Sequence, residues 1–250
     1  MKIPTIAGVI DRRILVNYRV DPTALARQLP LPFRPQLING MGVAGICLIR
    51  LRALHPRFLP ALPGWSSENA AHRFAVEWDE AGQVRRGVYI PRRDTNSKLS
   101  VLTGGRLFPG VHHPARFDVQ DDGDRIELCV DSDDGQIHLH VAAHAATDLP
   151  ADSVFGTLQE ASDFFEGGSL GYSATRQPGR YDGLRLQTLN WQVKPLAIES
   201  VTSNYFDDPS RFANGDLQLD SILLMRNVNH QWHSEPAMVA KSPGYQPAAL

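Results

Sequence analysis

The sequence predicts an α+β fold in which most of the chain forms one curled antiparallel sheet or barrel, with a few short helices beside it. Three observations carry this. Segments of alternating or continuous apolar residues, rich in Val, Ile, Leu and aromatics, recur along the 250 residues. The Asp- and Gly-rich turns "DDGD" and "SDDG" separate three of them as in an antiparallel meander. No linker-like stretch, repeat or low-complexity tract divides the chain. Residues 1–250 are therefore read as a single domain with its core at about 12–232 and a loose, Pro-containing tail after Trp232.

In chain order, "ILVNYRV" (Ile14 to Val20) is a strand with Ile14, Val16, Tyr18 and Val20 on one face. Asp21-Pro22 reads as an N-cap followed by proline at the first helical position, and Pro30 ends that helix. "GVAGICLIRLRAL" is a second strand. "AAHRFAVEWD" and "VRRGVYIP" flank the short loop "DEAGQ" as a hairpin, with His72, Phe74, Val76 and Trp78 sharing a face. "DTNSKLSVLTGG" changes period and predicts a short helix stopped by Gly104-Gly105. The strands "ARFDVQ", "RIELCVD" and "QIHLHVAAHA" follow. "DSVFGTLQEASDFFEGG" predicts a helix capped by Asp152 or Ser153 and closed by Gly167. Strands are then expected around "SLGYSAT", through "LRLQTLNWQVKPLAIES" and at "LQLDSILLMRNV", with "DDPSRF" a helical turn before the last.

Composition excludes several function classes. Lys+Arg 25 against Asp+Glu 27 gives a formal charge of -2, so no global basic field draws in nucleic acid. The longest apolar run, "MGVAGICLI", is far short of a bilayer span, and the N-terminal "IAGVI" is too short for a secretory core. Cys47 and Cys129 lie far apart and outside any CxxC, which fits free thiols in a reducing compartment. A cytoplasmic protein is expected, with a small-molecule ligand, no nucleic acid or membrane partner, no cofactor, and room for a homo-oligomer. G-x-S-x-G, P-loop and dinucleotide-binding patterns are missing.

"ILVNYRVDPTALARQLPLPF" resembles the opening of acetoacetate-decarboxylase-like proteins, with a strand ending in Tyr-Arg, an Asp-initiated helix and a Pro-containing exit. "GGRLFPGVHH" resembles that superfamily's Gly-Arg segment leading to a Lys-Lys pair, and "GQIHLHVAAHA" follows at a similar interval. "ENAAHRFAVEWD" and "LNWQVKPLAIES" are more similar to the DUF2071 (YqjF-like) branch. The likeness runs from about Arg12 to Val228. It implies a cone-shaped antiparallel β-barrel with short flanking helices and a buried pocket. It also implies binding, with or without transformation, of a small organic acid or carbonyl compound. In the decarboxylases one lysine of the pair forms a Schiff base with the keto acid. Here Arg106 stands for the family arginine, and the Lys-Lys positions fall at or beside His112 and His113. Imidazole forms no stable imine, so Schiff-base decarboxylation is not expected.

The candidate site residues are His113, His112, Arg106 and Glu68. Histidine titrates near neutral pH and suits proton transfer or oxyanion donation; loop histidines bonded to backbone are the plain alternative. Neighbours on a strand point to opposite faces, so only one of the pair can face a pocket, and motif spacing favours His113. Arg106 suits a carboxylate, or else caps the preceding helix. Glu68 lies near the family's acidic position, or else is a solvated glutamate. Arg12 or Arg13 matches the family's N-terminal arginine with an offset. Two rival functions remain: a non-catalytic ligand carrier, and a metal enzyme using His138, His140 and His144. Those three share one strand face, whose plain reading is a polar outer surface.

Overall fold

Alternation of apolar residues over long segments gives a structure dominated by strands. The computed structural model describes residues 5–58, 64–103 and 109–240. Among them, in chain order, are β1 (Ile6–Val20), α1 (Pro22–Gln28), β2 (Arg34–Pro35), β3 (Leu37–Ile38), β4 (Met41–Pro56), β5 (Trp65–Glu80), β6 (Gln83–Thr95), α2 (Lys98–Thr103) and β7 (His112–Asp121). There follow β8 (Arg125–Ser132), β9 (His138–Ala145), α3 (Leu158–Gly167), β10 (Leu170–Ala174), β11 (Arg180–Thr188), β12 (Lys194–Ser203) and β13 (Leu217–Val239). No helix among the described residues is long and apolar enough to cross a membrane.

The strands join in the order β11-β10-β6-β7-β8-β9-β12-β13-β1-β4-β5-β2, with β3 on β4. Two further pairings, β11 with β13 and β5 with β6, close this path into rings. β6 and β13 are where the rings part. The middle of β6 pairs with β10 at Val88 to Ile90, and its end pairs with β7 at Arg93 to Thr95. β13 pairs with β12 through Ile222 to Leu224 and with β11 from His230 to Val239. Its length follows from serving both.

Both of these β6 pairings are parallel, against the wholly antiparallel expectation. A parallel pair needs a crossover rather than a tight turn, and the connection from β6 to β7 includes α2. The remaining pairings are antiparallel, including the expected meander β7-β8-β9.

The shared strands β1, β4 and β5 bury both faces, and strand alternation sorts them into two cores. Ile14, Val16, Ile46, Leu48, Phe74 and Val76 face one core. Leu15, Cys47, Ile49, Ala71 and Leu223 face the other, together with Phe165 of α3.

Local chemistry sets the helices. Asp21 caps α1, its carboxylate accepting from the Thr23 and Ala24 amides, with Pro22 at the first position. The third helix starts later than its sequence suggests, at Leu158, because Thr157 is the cap and accepts from the Glu160 amide while Glu160 reaches back to Gly156 N. Asp152 and Ser153 are occupied elsewhere: Asp152 by Arg19, and Ser153 by Asp220. "LRLQTLNWQVKPLAIES" is two strands, broken between Thr188 and Lys194. β13 runs to Val239, so the segment after Trp232 is paired strand where a loose tail was expected; residues 241–250 lie outside the described residues.

Candidate functional site

One row of paired residues crosses five strands: Leu15 opposite Cys47, Cys47 opposite Ala71, Ala71 opposite Arg93, and Arg93 opposite His112. The flanking rows are Arg13–Ile49–Asn69 on one side and Asn17–Gly45–Arg73 on the other. Residues two apart on a strand share a face. Arg13, Cys47, Asn69, Arg73, Arg93 and His112 therefore all line one cavity of about 90 Å³. Ile49, Leu51, Val88, Ile90, Leu184 and Leu186 form its apolar wall. Gly45 matters to the third row. A Cβ there would collide with the Val16 carbonyl, and its absence leaves the span across which Arg73 Nη2 donates to Asn17 Oδ1 at 2.6 Å.

The three guanidiniums have neutral side-chain partners only. Arg13 Nε donates to Cys47 Sγ at 3.2 Å, Arg73 to Asn17, and Arg93 Nε to Ser173 Oγ at 3.0 Å. None of the three has a carboxylate partner among the described residues, and the segments outside them contain no Asp or Glu. Arg73 is 5% exposed, and its Nε and Arg13 Nη1 are buried without a hydrogen-bond partner. Burial lowers Arg73 and Arg93 to about 10. Arg93 keeps some exposure as a residue, but its guanidinium is withdrawn from water. Stacking compensates in part: Arg73 lies 4.7 Å from the Phe165 ring centre and Arg13 5.5 Å from that of Trp191. One carboxylate, Asp94, also borders the cavity, but Arg92 holds it at 2.7 Å. Among the described residues the cavity is thus a cationic space without a counter-charge for these three side chains, and taking each such ion from water costs roughly several kcal/mol.

His112 is lowered to about 3, first by burial and then by the Arg93 charge. It is a neutral imidazole at physiological pH, suited to hydrogen bonding at a carbonyl oxygen rather than to supplying a charge.

The residues expected from sequence divide. His112 lines the cavity. His113, favoured from spacing, turns to the opposite face, where its Nδ1 lies 3.2 Å from Asp134 in a cluster with Arg92 and Asp94. It shares that face with Ala115 and Phe117, which join the other core. Glu68 is on the opposite face of β5 from Asn69 and Arg73. It is 7% exposed and bonded to Arg12 Nη2 at 2.9 Å and Arg50 Nη1 at 3.2 Å, so it is neither solvated nor in the cavity. Arg106 lies outside the described residues. His138, His140 and His144 stand on the outer face of β9, each beside a carboxylate (Asp131, Glu127 and Glu199). No group of three His, Cys, Asp or Glu positioned to hold a metal occurs among the described residues.

Neither Arg73 nor Arg93 was among the candidate site residues read from sequence. The available signal was a charge inside otherwise apolar strand runs, "AAHRFAV" and "VYIPRRD".

Comparison with known proteins fits this architecture. The model of the DUF2071 family, described as an uncharacterized conserved protein, matches residues 10–213. None of the curated proteins compared matches the sequence. An acetoacetate decarboxylase from Legionella pneumophila superposes with a TM-score of 0.61 at 12% identity, over 96% of this chain and 88% of that one. An acetoacetate decarboxylase-like enzyme from Sphingomonas wittichii gives 0.55 at 11% identity, over 95% and 93%. The enduracididine biosynthesis enzyme MppR, complexed with pyruvate, gives 0.53 at 13% identity, over 96% and 91%. At such identities the likeness establishes the fold and nothing finer.

Proposed function

The chain belongs to the DUF2071 family, and from that premise and the cavity we propose that it binds, and transforms without a Schiff base, a small organic acid or carbonyl compound. The observation that carries the reading is the set of three guanidiniums, Arg13, Arg73 and Arg93, facing one cavity with no carboxylate of their own. A ligand carboxylate is the counter-ion they lack, and arginine's planar fork suits it. The apolar wall then takes the carbon chain, and His112 donates to a carbonyl oxygen as charge develops there. No lysine lines the cavity among the described residues, which supports a reading without an imine. The ring closures at β5–β6 and β11–β13 support reading the sheet as the cone-shaped barrel that would enclose such a pocket. The solved structure of MppR complexed with pyruvate makes pyruvate a suitable first probe.

The test is calorimetric titration with pyruvate and acetoacetate against wild type, Arg73→Met and Arg93→Met, with product analysis by NMR. Saturable binding weakened at least about tenfold in either variant is expected. Binding without turnover of any 2- or 3-oxo acid would leave a ligand carrier. Binding unchanged in both variants would remove the cavity from consideration.

A further inference from the structure

The three cationic side chains are not one cluster. Arg13 and Arg73 act on each other's charge, stack on Trp191 and Phe165 beside α3, and share a second, smaller cavity with Phe164 and Gly168. Arg93 borders neither that smaller cavity nor those rings. It pairs instead with Ser173 of β10 and stands opposite His112 at the start of β7. Cys47 lies between: 3.2 Å from Arg13 Nε, and paired through Ala71 to Arg93. The cavity therefore has two cationic poles, with Ile49, Leu51 and Ile90 along its wall.

From this division, and resting on the anion-binding reading above, we propose that the ligand is a dianion with two separated carboxylates, one held by Arg13 and Arg73 and the other by Arg93 with His112. A monocarboxylate would leave one pole desolvated and uncompensated, a penalty that a second carboxylate removes. The cavity volume admits roughly six to nine waters at about 10–15 Å³ each. A dicarboxylic acid of about four to six carbons would displace them. A compact dianion such as inorganic phosphate carries the charge but not the span, so it can fill only one pole.

The experiment needs no variant to read. Succinate and monomethyl succinate have nearly the same shape and differ in one charge. Titrated into the wild-type protein at pH 7.5, the diacid should bind at least about tenfold more tightly than the monoester, and than inorganic phosphate. Arg93→Met should reduce the preference for diacid over monoester to about twofold or less. Equal affinities for succinate and its monoester would overturn the dianion while leaving a monocarboxylate site. Phosphate binding as tightly as succinate would overturn the two separated poles. Binding of none of the succinates, phosphate, pyruvate or acetoacetate would sink the anion-binding reading itself.

Discussion

Arg93 and His112 stand opposite each other across the parallel β6–β7 pair, both on the cavity face. Burial and then the guanidinium's charge hold the imidazole down to about 3. The pair gives a testable coupling. Arg93→Met removes the largest cause after burial, so the His112 titration should move upward, and a bound anion should move it the same way. A pH series of histidine ring proton shifts reads this directly. An unmoved His112 resonance in Arg93→Met would show that burial alone sets its state.

His72, His112 and His230 are all held neutral by burial, at about 3, 3 and 4. Each folded value lies below the unfolded value near 6.5, so the unfolded chain binds these protons first. The stability they allow is fully present above about pH 6.5 and is lost as pH falls toward 3–4. His72 is 0% exposed. At about 1.4 kcal/mol per pH unit, it alone should cost up to about 2 kcal/mol between pH 6.5 and pH 5. Urea midpoints at those two pH values check this. The fall should be shallower in His72→Phe, and an identical slope would remove His72 as a contributor.

Glu68 and Arg12 form an ion pair with side chains 9% and 4% exposed, on the face of β5 turned away from the cavity. Removing Glu68 leaves the buried Arg12 guanidinium with only the looser Asp121 contact at 3.6 Å. Glu68→Ala should cost about 3–5 kcal/mol in unfolding free energy, while Arg12→Met with Glu68→Leu should cost less than the single change. Pyruvate affinity of the folded variants should stay within about twofold of wild type. A large loss of affinity in a stably folded Glu68→Ala protein would return this glutamate to the site.

How much of this was legible in the sequence can be argued strand by strand. Alternation fixes faces well. Ala115, Phe117 and Val119 are apolar at every second position, and extending that alternation back by two places puts His113 with them and His112 opposite. Motif spacing pointed to His113 because it counts residues along the chain and carries no face information. In the same way, the alternation His72, Phe74, Val76, Trp78 extends back to Glu68 and marks it as core-facing. What sequence could not supply is which distant strands meet. The row from Leu15 to His112 depends on β7 pairing parallel to β6, a long-range pairing that no local pattern encodes. The cavity arginines stayed hidden for that reason: each is an ordinary strand arginine until its neighbours across the sheet prove to hold no carboxylate.

The two cysteines offer an internal comparison. Both are free; Cys47 is buried and lines the cavity, whereas Cys129 is half-buried on β8, where burial and the nearby Asp118, Glu127 and Asp131 raise its thiol. An alkylating reagent must enter the cavity to reach Cys47, so a ligand filling that space excludes it. Iodoacetate carries a carboxylate, and the guanidiniums around Cys47 should draw it in, while the acidic surroundings of Cys129 repel it. The ratio of iodoacetate to iodoacetamide rates should therefore be higher at Cys47 than at Cys129 by about threefold or more. Saturating succinate should slow the Cys47 reaction several-fold and leave Cys129 untouched. Peptide mass spectrometry over a time course separates the two sites in one sample. Equal rate ratios at both cysteines, with no protection at Cys47, would mean that the cavity neither attracts nor holds an anion.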